Sequence, residues 1–329
     1  MTKKYVLGVD GGNSKTDYLL HDLDGRLVKH MRAGTCSHER LGMQGAGEEM
    51  EACAARLLRE AGVDRAEVAA AAFGLAGVDQ AVQKRELERI VRDMRFENSI
   101  VMNDSFLGIK AGSETGVGVS SINGTGTASG GIDSRGKWVQ VGGHGGPSGD
   151  DAGGGYIAGA TLRAAYDAAY RMGRETLLLE RVCALFGCGA DTLHDEISIQ
   201  YLDGRKVTTL DILNVFFAAC DEKDGEALRI VRHVADSLAR SAAGCARRLV
   251  FDSVVPLVLI GSVWTKRRYP LMIEHFKGQF EQYTEKEAAI HILQVPPAAG
   301  SVLWALELAE GMVPEDKVRR RVVEDTKGL

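Results

Sequence analysis

Short apolar runs alternate with glycine-rich turns and with segments of helical periodicity in the first third of the chain. Strands are predicted at 5–9, 16–21, 26–30, 68–73 and 99–102, and helices at 45–61, 80–94 and from about 105. Leu23-Asp24-Gly25-Arg26 has the composition of a hairpin turn between the second and third strands. The pattern therefore predicts three strands in succession, followed by alternating helices and strands.

The same order begins again after Gly112, Ser113 and Gly116, where we predict a hinge. Strands are predicted at 117–122, 128–132, 138–141, 256–260 and 289–293, and helices at 151–172, 174–187, 209–217, 223–249 and 299–310. We therefore expect an α/β protein of two similar domains, residues 1–115 and 116–329, with the last helix able to pack back on the first domain. A cleft between two such domains is a common place for ligands to bind.

Length and charge narrow the function classes. A chain of 329 residues suits two domains better than one core, and a net charge of −5 argues against nucleic acid or an anionic membrane as the main partner. No segment resembles a signal peptide or a membrane-spanning helix. The six cysteines form no CxxC pair, which favours a reduced, cytoplasmic protein.

The first candidate site is the turn after the first strand. It reads Asp10-Gly11-Gly12-Asn13-Ser14-Lys15-Thr16. Its glycines expose backbone N–H groups to phosphate oxygens, its hydroxyls add donors, and Lys15 adds a positive charge. Asp10 is placed to hold Mg²⁺ through water, because magnesium keeps most of its hydration shell. An ordinary hairpin turn is the alternative reading, since this is not a Walker A loop.

A second turn of the same kind occupies the equivalent place in the second half. Gly124-Thr125-Gly126-Thr127 follows the strand at 117–122. Two such turns, one from each domain, could hold a triphosphate from both sides. The repetition favours ATP binding over two unrelated hairpins.

Asp104 follows the strand at 99–102 and leads into a helix. A carboxylate at this position could accept the proton of an attacking hydroxyl, as phosphoryl transfer requires. The alternative is a helix N-cap, for which aspartate is favoured, although Ser105 could also fill that position.

Two further glycine-containing segments complete the candidate site. The stretch from Gly142 to Gly155 opens a long helix, and Asp150 within it could accept hydrogen bonds from sugar hydroxyls. Gly261-Ser262 ends a late strand and could let a nucleoside lie against the backbone.

Together these motifs resemble the BadF/BadG/BcrA/BcrD-type ATPase group of the sugar kinase/actin/Hsp70 superfamily, and within it the N-acetylglucosamine kinase branch. The resemblance covers nearly the whole chain. It rests on the turn at 10–16, Gly77-Val78-Asp79-Gln80, Asn103-Asp104-Ser105, the turn at 124–127, the loop from Gly142 with Gly149-Asp150, and Gly261-Ser262-Val263-Trp264. It implies two ribonuclease H-like, actin-like ATPase domains, and a kinase that uses ATP and Mg²⁺ on a sugar hydroxyl, usually the 6-hydroxyl. Such proteins often form homodimers.

The resemblance also implies roles for individual residues. The phosphate contacts would come from Ser14 and Thr125, and the base from Asp104. The sugar pocket would be lined by Ser37, His38, Asp79, Asp104, Gly143, His144, Gly145 and Asp150.

Two departures from the family pattern affect the sugar pocket. Ser37 stands where the family usually has Asn, and His144 stands where it usually has Trp, with Asp151-Ala152 in place of Glu-Gly. N-acetylglucosamine is therefore the leading substrate, with glucosamine, another hexose or a muramic acid derivative still open.

Two other functions are compatible with this fold. One is an ATPase that drives electron transfer to an iron–sulfur partner, as activators in the same group do. No cysteine lies in or beside the turn at 124–127, which favours the kinase. The other is a sugar sensor without catalysis, against which Asp10 and Asp104 argue.

Overall fold

The computed structural model describes residues 4–203 and 206–329 and contains two five-stranded sheets. The strands of the first sheet are β1 Tyr5–Gly11, β2 Thr16–Asp22, β3 Leu27–Ala33, β4 Val68–Leu75 and β5 Ser99–Met102. Their order is β3-β2-β1-β4-β5, antiparallel among the first three and parallel from β1 to β5. Three helices accompany them: α1 His38–Ala61, α2 Ala81–Asp93 and α3 Leu107–Gly112.

The second sheet repeats this topology. Its strands are β6 Gly118–Asn123, β7 Thr127–Ile132, β8 Trp138–Val141, β9 Val254–Ile260 and β10 Glu287–Ile292, in the order β10-β9-β6-β7-β8. Its helices are α4 Gly153–Tyr170, α5 Leu177–Phe186, α6 Leu193–Glu196, α7 Thr209–Asp221, α8 Gly225–Ala246 and α9 Pro270–Thr284. The chain ends with α10 Ala298–Glu310 and α11 Asp316–Thr326. The predicted fold class is confirmed.

Helix α10 packs on the first sheet, although it follows the second sheet in sequence. A Cβ atom placed on Gly8 of β1 would lie 2.5 Å from Oγ of Ser301 and 2.7 Å from the backbone nitrogen of Val302. Glycine at position 8 therefore lets the helix approach the strand closely. The domain bounds 1–115 and 116–329 stay a prediction.

A shared apolar cluster joins the two halves of the molecule. It contains Phe106 beside the first sheet, Ile260 of β9 and Val302 of α10, all of them buried. Burial of large apolar side chains is the main stabilising contribution to such a core.

Some predicted bounds are wrong. The helix predicted to begin at 45 begins at His38, with a break at Gly42, whose φ of 70° is not helical. Helices α9 and α11 were not predicted from the sequence. Helix α9 packs against α8 and buries Met272, Phe276 and Phe280, and α11 packs against α10. Neither helix carries chemistry that the motifs suggested.

Candidate active site

Strand register places three carboxylates near one edge of the first sheet. Asp10 of β1, Gly74 of β4 and Met102 of β5 lie in one row across the parallel strands. Asp79 follows β4 and Asp104 follows β5. Because parallel strands end at the same edge, the sheet presents these side chains toward a common region.

The turn between β1 and β2 is a tight hairpin. The backbone N–H of Gly12 donates to the carbonyl of Lys15 at 2.9 Å, which leaves Asn13 and Ser14 at the tip. Asn13, Ser14 and Lys15 are exposed, whereas Gly11 is buried within β1. The exposed tip keeps the hydroxyl of Ser14 available to a phosphate. The ammonium of Lys15 is also exposed, although its Nζ lies 3.5 Å from Oδ2 of Asp17 in an ion pair.

Thr16 has a different environment from the one the sequence suggested. It is fully buried, and its Oγ1 accepts a hydrogen bond from the backbone N–H of Cys36 at 3.1 Å. The hydroxyl of Thr35 donates to the carbonyl of Gly12 at 2.8 Å. In this conformation Thr16 therefore stabilises the hairpin by linking it to the backbone of Cys36, and its hydroxyl is not exposed to a phosphate.

The second hairpin, between β6 and β7, is equally tight. The N–H of Gly124 donates to the carbonyl of Gly126 at 3.0 Å, and Thr125 and Gly126 are exposed. The hydroxyl of Thr127 donates to the carbonyl of Ile122 at 2.7 Å. The hydroxyl of Thr125 is thus exposed in this hairpin, while the hydroxyl of Thr127 stabilises the hairpin through its hydrogen bond to Ile122.

Two glycine-containing segments hold the second hairpin in place. The N–H of Gly154, in the first turn of α4, donates to the carbonyl of Gly124 at 2.7 Å. Gly261, with φ of 100°, sits so close that an added Cβ would lie 2.5 Å from the carbonyl oxygen of Asn123. Ser262 beside it is exposed. The structure therefore brings the 124–127 turn, the start of α4 and Gly261-Ser262 together.

Asp10 is held in an unfavourable electrostatic environment. Burial raises its pKa to about 7, and the carboxylates of Asp104 and Asp17 act in the same direction. Lys15 and the N–H of Ala298, at the start of α10, lower it only in part. A carboxylate repelled by two others is a place where a cation would be favoured.

Asp104 is free of the helix-capping role. Asn103 is the N-cap residue, since its Oδ1 accepts a hydrogen bond from the N–H of Ser105 at 2.9 Å. Burial, and after it the charge of Asp79, raise the pKa of Asp104 to about 6, against two backbone hydrogen bonds that lower it. A carboxylate with a pKa near neutrality can both accept and release a proton at physiological pH.

Asp79 connects the two halves of the molecule. Its Oδ1 accepts hydrogen bonds from Nδ2 of Asn103 at 3.0 Å and from Nε2 of Gln140, on β8 of the second sheet, at 2.5 Å. A Cβ added to Gly143 would lie 3.8 Å from the same oxygen. Asp79 thus lies beside both Asn103 and the start of the glycine-rich loop.

Asp150 organises the glycine-rich loop with one oxygen. Its Oδ2 accepts from the N–H groups of Gly143 at 2.9 Å and Gly145 at 2.7 Å, and from the hydroxyl of Ser148 at 2.5 Å. Its Oδ1 is buried, and within residues 4–203 and 206–329 it has no hydrogen-bond partner. Oδ1 is therefore the one oxygen of Asp150 that could still accept a hydrogen bond from a ligand. His144 is exposed on the same loop.

Ser37 and His38 lie at the start of α1. Ser37 is buried and caps the helix by accepting a hydrogen bond from the N–H of Glu39 at 3.3 Å. Nε2 of His38 is buried and has no partner in the part of the chain that the structure describes. His38 is thus free to bond a ligand, while Ser37 already has a structural role.

Sequence reasoning missed two residues near these carboxylates. Glu39 accepts a hydrogen bond from Nδ2 of Asn13 at 3.2 Å and raises the pKa of Asp104 slightly. Gln140 contacts Asp79 across the two sheets. Glu39 directly follows the segment Ser37-His38, which was a usable signal, whereas nothing near Gln140 in the sequence marks it.

Comparison with known proteins agrees with this fold and these motifs. The model of the BadF/BadG/BcrA/BcrD ATPase family matches residues 7–305. The chain belongs to this family. The resemblance drawn from the motifs is confirmed at the level of the family. A relative from Clostridium acetobutylicum, an N-acetylmuramic acid/N-acetylglucosamine kinase, is 29% identical over 180 residues. That match spans 53% of this chain and 58% of the curated relative.

Solved structures share the fold over nearly the whole chain. A proposed N-acetylglucosamine kinase from Chromobacterium violaceum aligns with a TM-score of 0.60 at 21% identity, covering 93% of this chain and 99% of its own. The ROK hexokinase from Thermus thermophilus aligns with a TM-score of 0.54 at 18% identity, covering 92% of this chain and 98% of its own.

In the described ranges, no helix combines the length and apolar character that crossing a bilayer requires.

Proposed function

We propose that this family member is an ATP-dependent carbohydrate kinase, which transfers the γ-phosphoryl group of ATP to a sugar hydroxyl. The observation that carries the proposal is the position of Asp104. It is a carboxylate of raised pKa just after β5, relieved of capping by Asn103 and close enough to Asp79 and Asp10 for their charges to influence one another. A general base of this kind is what hydroxyl phosphorylation needs.

The chemistry follows from these roles. Asp104 accepts the proton of the sugar hydroxyl while the hydroxyl oxygen forms a bond to the γ-phosphorus. The bond between that phosphorus and the oxygen bridging to the β-phosphate breaks, and ADP leaves. Ser14, Lys15 and the exposed tip of the first hairpin would hold phosphate oxygens from the first half, and Thr125 and Gly126 from the second. The N–H groups of Gly12 and Gly124 already close the two hairpins, so they are not free for phosphate in this conformation. Gly261 and Ser262 would border the nucleoside.

Magnesium fits the site through Asp10. The two carboxylates that raise the pKa of Asp10 would be offset by a divalent cation, which would neutralise charge on the phosphates during transfer. No cluster of three or more His, Cys, Asp or Glu side chains within 4–203 and 206–329 could hold a metal ion. One carboxylate with water and phosphate oxygens is a common arrangement for Mg²⁺.

The sugar would lie against the loop that starts at Gly143. Oδ1 of Asp150 and Nε2 of His38 are buried and lack partners among the described residues, so both could bond sugar hydroxyls. N-acetylglucosamine, phosphorylated on its 6-hydroxyl, is the leading substrate, and the relative from Clostridium acetobutylicum adds N-acetylmuramic acid. Ser37 and His144 replace the usual family residues in this pocket, so the choice among amino sugars is decided by the substrate panel described below.

The cysteines favour the kinase over an iron–sulfur activator. An iron–sulfur cluster shared between subunits needs exposed thiolates, whereas five of the six cysteines are buried and Cys188 is half-buried beside α5.

We also propose that the protein acts as a homodimer in the cytoplasm.

Turnover assays test the proposal. ADP release is measured with ATP, Mg²⁺ and a panel of hexoses, amino sugars and N-acetylmuramic acid, for the wild type and Asp104→Asn. We expect sugar-dependent ADP release that falls at least about a hundredfold in the variant, with ATP affinity retained. Equal turnover of the two proteins would show that Asp104 is not the base, and no sugar-dependent release by the wild type would contradict the kinase assignment.

A further inference from the structure

The carboxylate of Asp79 is held by two amides from opposite halves of the molecule. Nδ2 of Asn103 and Nε2 of Gln140 both donate to Oδ1, at 3.0 and 2.5 Å. A carboxylate only accepts hydrogen bonds, so the NH₂ end of each amide must face it. Such bonds to a charged acceptor are stronger than those between neutral groups.

The two donors leave the other carboxylate oxygen open. Oδ2 of Asp79 takes part in no side-chain hydrogen bond within the described ranges, and it is not among their buried unpartnered atoms. Asp79 is half-buried, so its Oδ2 is at least partly exposed to solvent and open to a ligand. The amide of Asn103 cannot turn away, because its Oδ1 is fixed by the N–H of Ser105.

Gln140 belongs to a face of β8 that meets the first half of the molecule. Trp138, two residues earlier and so on the same face of the strand, packs edge-to-face on Phe106 with ring centroids 5.8 Å apart. Nζ of Lys84, on α2, lies 5.6 Å from the centre of the Trp138 ring. Strand β8 thus brings Gln140 to Asp79 only while the two halves are in this relative position.

The contact also reaches the sugar side of the site. An added Cβ on Gly143 would lie 3.4 Å from Nε2 of Gln140. Gly143 carries the N–H that Asp150 binds, so Gln140, Asp79 and the loop held by Asp150 form one continuous group.

We infer that Gln140 is a positioning residue for sugar phosphorylation: when the two halves close, its amide completes the pair of donors that fixes Asp79, and the open oxygen of Asp79 then binds a hydroxyl of the sugar. This role rests on the proposed function. Gln140 itself does not touch the reacting atoms, and it acts through Asp79.

Steady-state kinetics of Gln140 variants test the role. Gln140→Ala removes the donor, and Gln140→Glu keeps the length but opposes the carboxylate with a second one. We expect kcat/KM for the sugar to fall about ten- to a hundredfold in the first and further in the second, with KM for ATP within about twofold of the wild type. Gln140→Lys, which keeps a donor at similar reach, should recover most of the loss.

Gln44→Ala is the matched control. Gln44 also donates to a carboxylate, that of Glu48 at 2.8 Å, but both lie on α1. This variant should keep wild-type sugar kinetics. A merely structural role for Gln140 would lower the active fraction and leave KM for the sugar unchanged.

A double-mutant cycle links the effect to Asp79. With Asp79→Ala already present, adding Gln140→Ala should change sugar affinity less than about twofold, because the carboxylate that Gln140 positions is gone. Additive losses in the cycle, or wild-type kinetics in Gln140→Ala, would overturn the positioning role while leaving the kinase assignment intact. A wild type that phosphorylates no sugar would overturn both.

Discussion

Removing the charge of Asp79 should lower the pH at which Asp104 becomes protonated and activity is lost. The pKa of Asp104 lies at about 6, raised from 3.8 by burial and then by Asp79. Asp79→Asn keeps the size of the side chain and an oxygen that can accept from Asn103 and Gln140. It removes only the charge, so the pKa of Asp104 should fall.

The size of the effect is bounded by the structure. The whole shift from 3.8 to about 6 corresponds to about 3 kcal/mol, and burial, its largest cause, stays in place. The acidic limb of the wild type should therefore have its midpoint near pH 6, and that of the variant should lie lower, above 3.8. At pH 5 the wild type would keep about a tenth of its plateau activity, and a fall of about one pKa unit would leave the variant about half of its own plateau.

The assay is kcat/KM for the sugar between pH 4.5 and 8, at saturating ATP and Mg²⁺ so that Asp10 is occupied. The shape of each profile is compared, since Asp79→Asn will also lower the plateau if Asp79 binds the sugar. Asp93→Asn, at the other end of α2, is the matched control and should keep the wild-type midpoint. A midpoint that stays near 6 or rises in Asp79→Asn would refute the coupling between the two carboxylates.

Two further predictions concern stability and nucleotide binding. His21 is buried with both ring nitrogens unpartnered in the described part of the chain, and burial lowers its pKa to about 4. The neutral imidazole therefore adds to the free energy of unfolding above pH 6.5, and this contribution is lost as the pH falls and the unfolded chain takes up a proton. Between pH 7 and 5 the free energy of unfolding, measured with denaturant, should fall about 2 kcal/mol less in His21→Leu than in the wild type. Equal losses would contradict this. Gly261→Ala should weaken ATP binding at least about tenfold by calorimetry, because its Cβ would lie 2.5 Å from the carbonyl of Asn123 at a φ of 100°. Gly225→Ala, with open space around its Cβ, should bind normally, and normal binding by both would refute the steric argument.

Much of the fold could be predicted because its signals are local. Strand β4 is buried along its whole length and reads as an unbroken apolar run, and the glycine turns interrupt the pattern at each hairpin. Asp104 could be proposed as the base from the sequence because its signal, an acidic residue two positions after a strand, is also local. The repeat of three strands and a turn revealed the second half.

The rest depends on contacts that sequence spacing does not encode. Gln140 meets Asp79 from 61 residues away, and only the relative position of the two sheets brings them together. Thr16 and Thr127 have the right chemistry for phosphate, yet the strand ends turn both hydroxyls toward neighbouring backbone. Helix α11 buries only Val322 and Thr326, so its apolar periodicity is too weak to stand out.

Direct detection of the product tests the central claim. Purified protein is incubated with ATP, Mg²⁺ and N-acetylglucosamine, N-acetylmuramic acid, glucosamine or glucose, and each mixture is analysed by mass spectrometry and phosphorus NMR. The account predicts a sugar phosphate ester, formed mole for mole with ADP, from at least one of these sugars and absent with Asp104→Asn. ADP formed with inorganic phosphate alone, and no phosphorylated sugar from any of them, would contradict it.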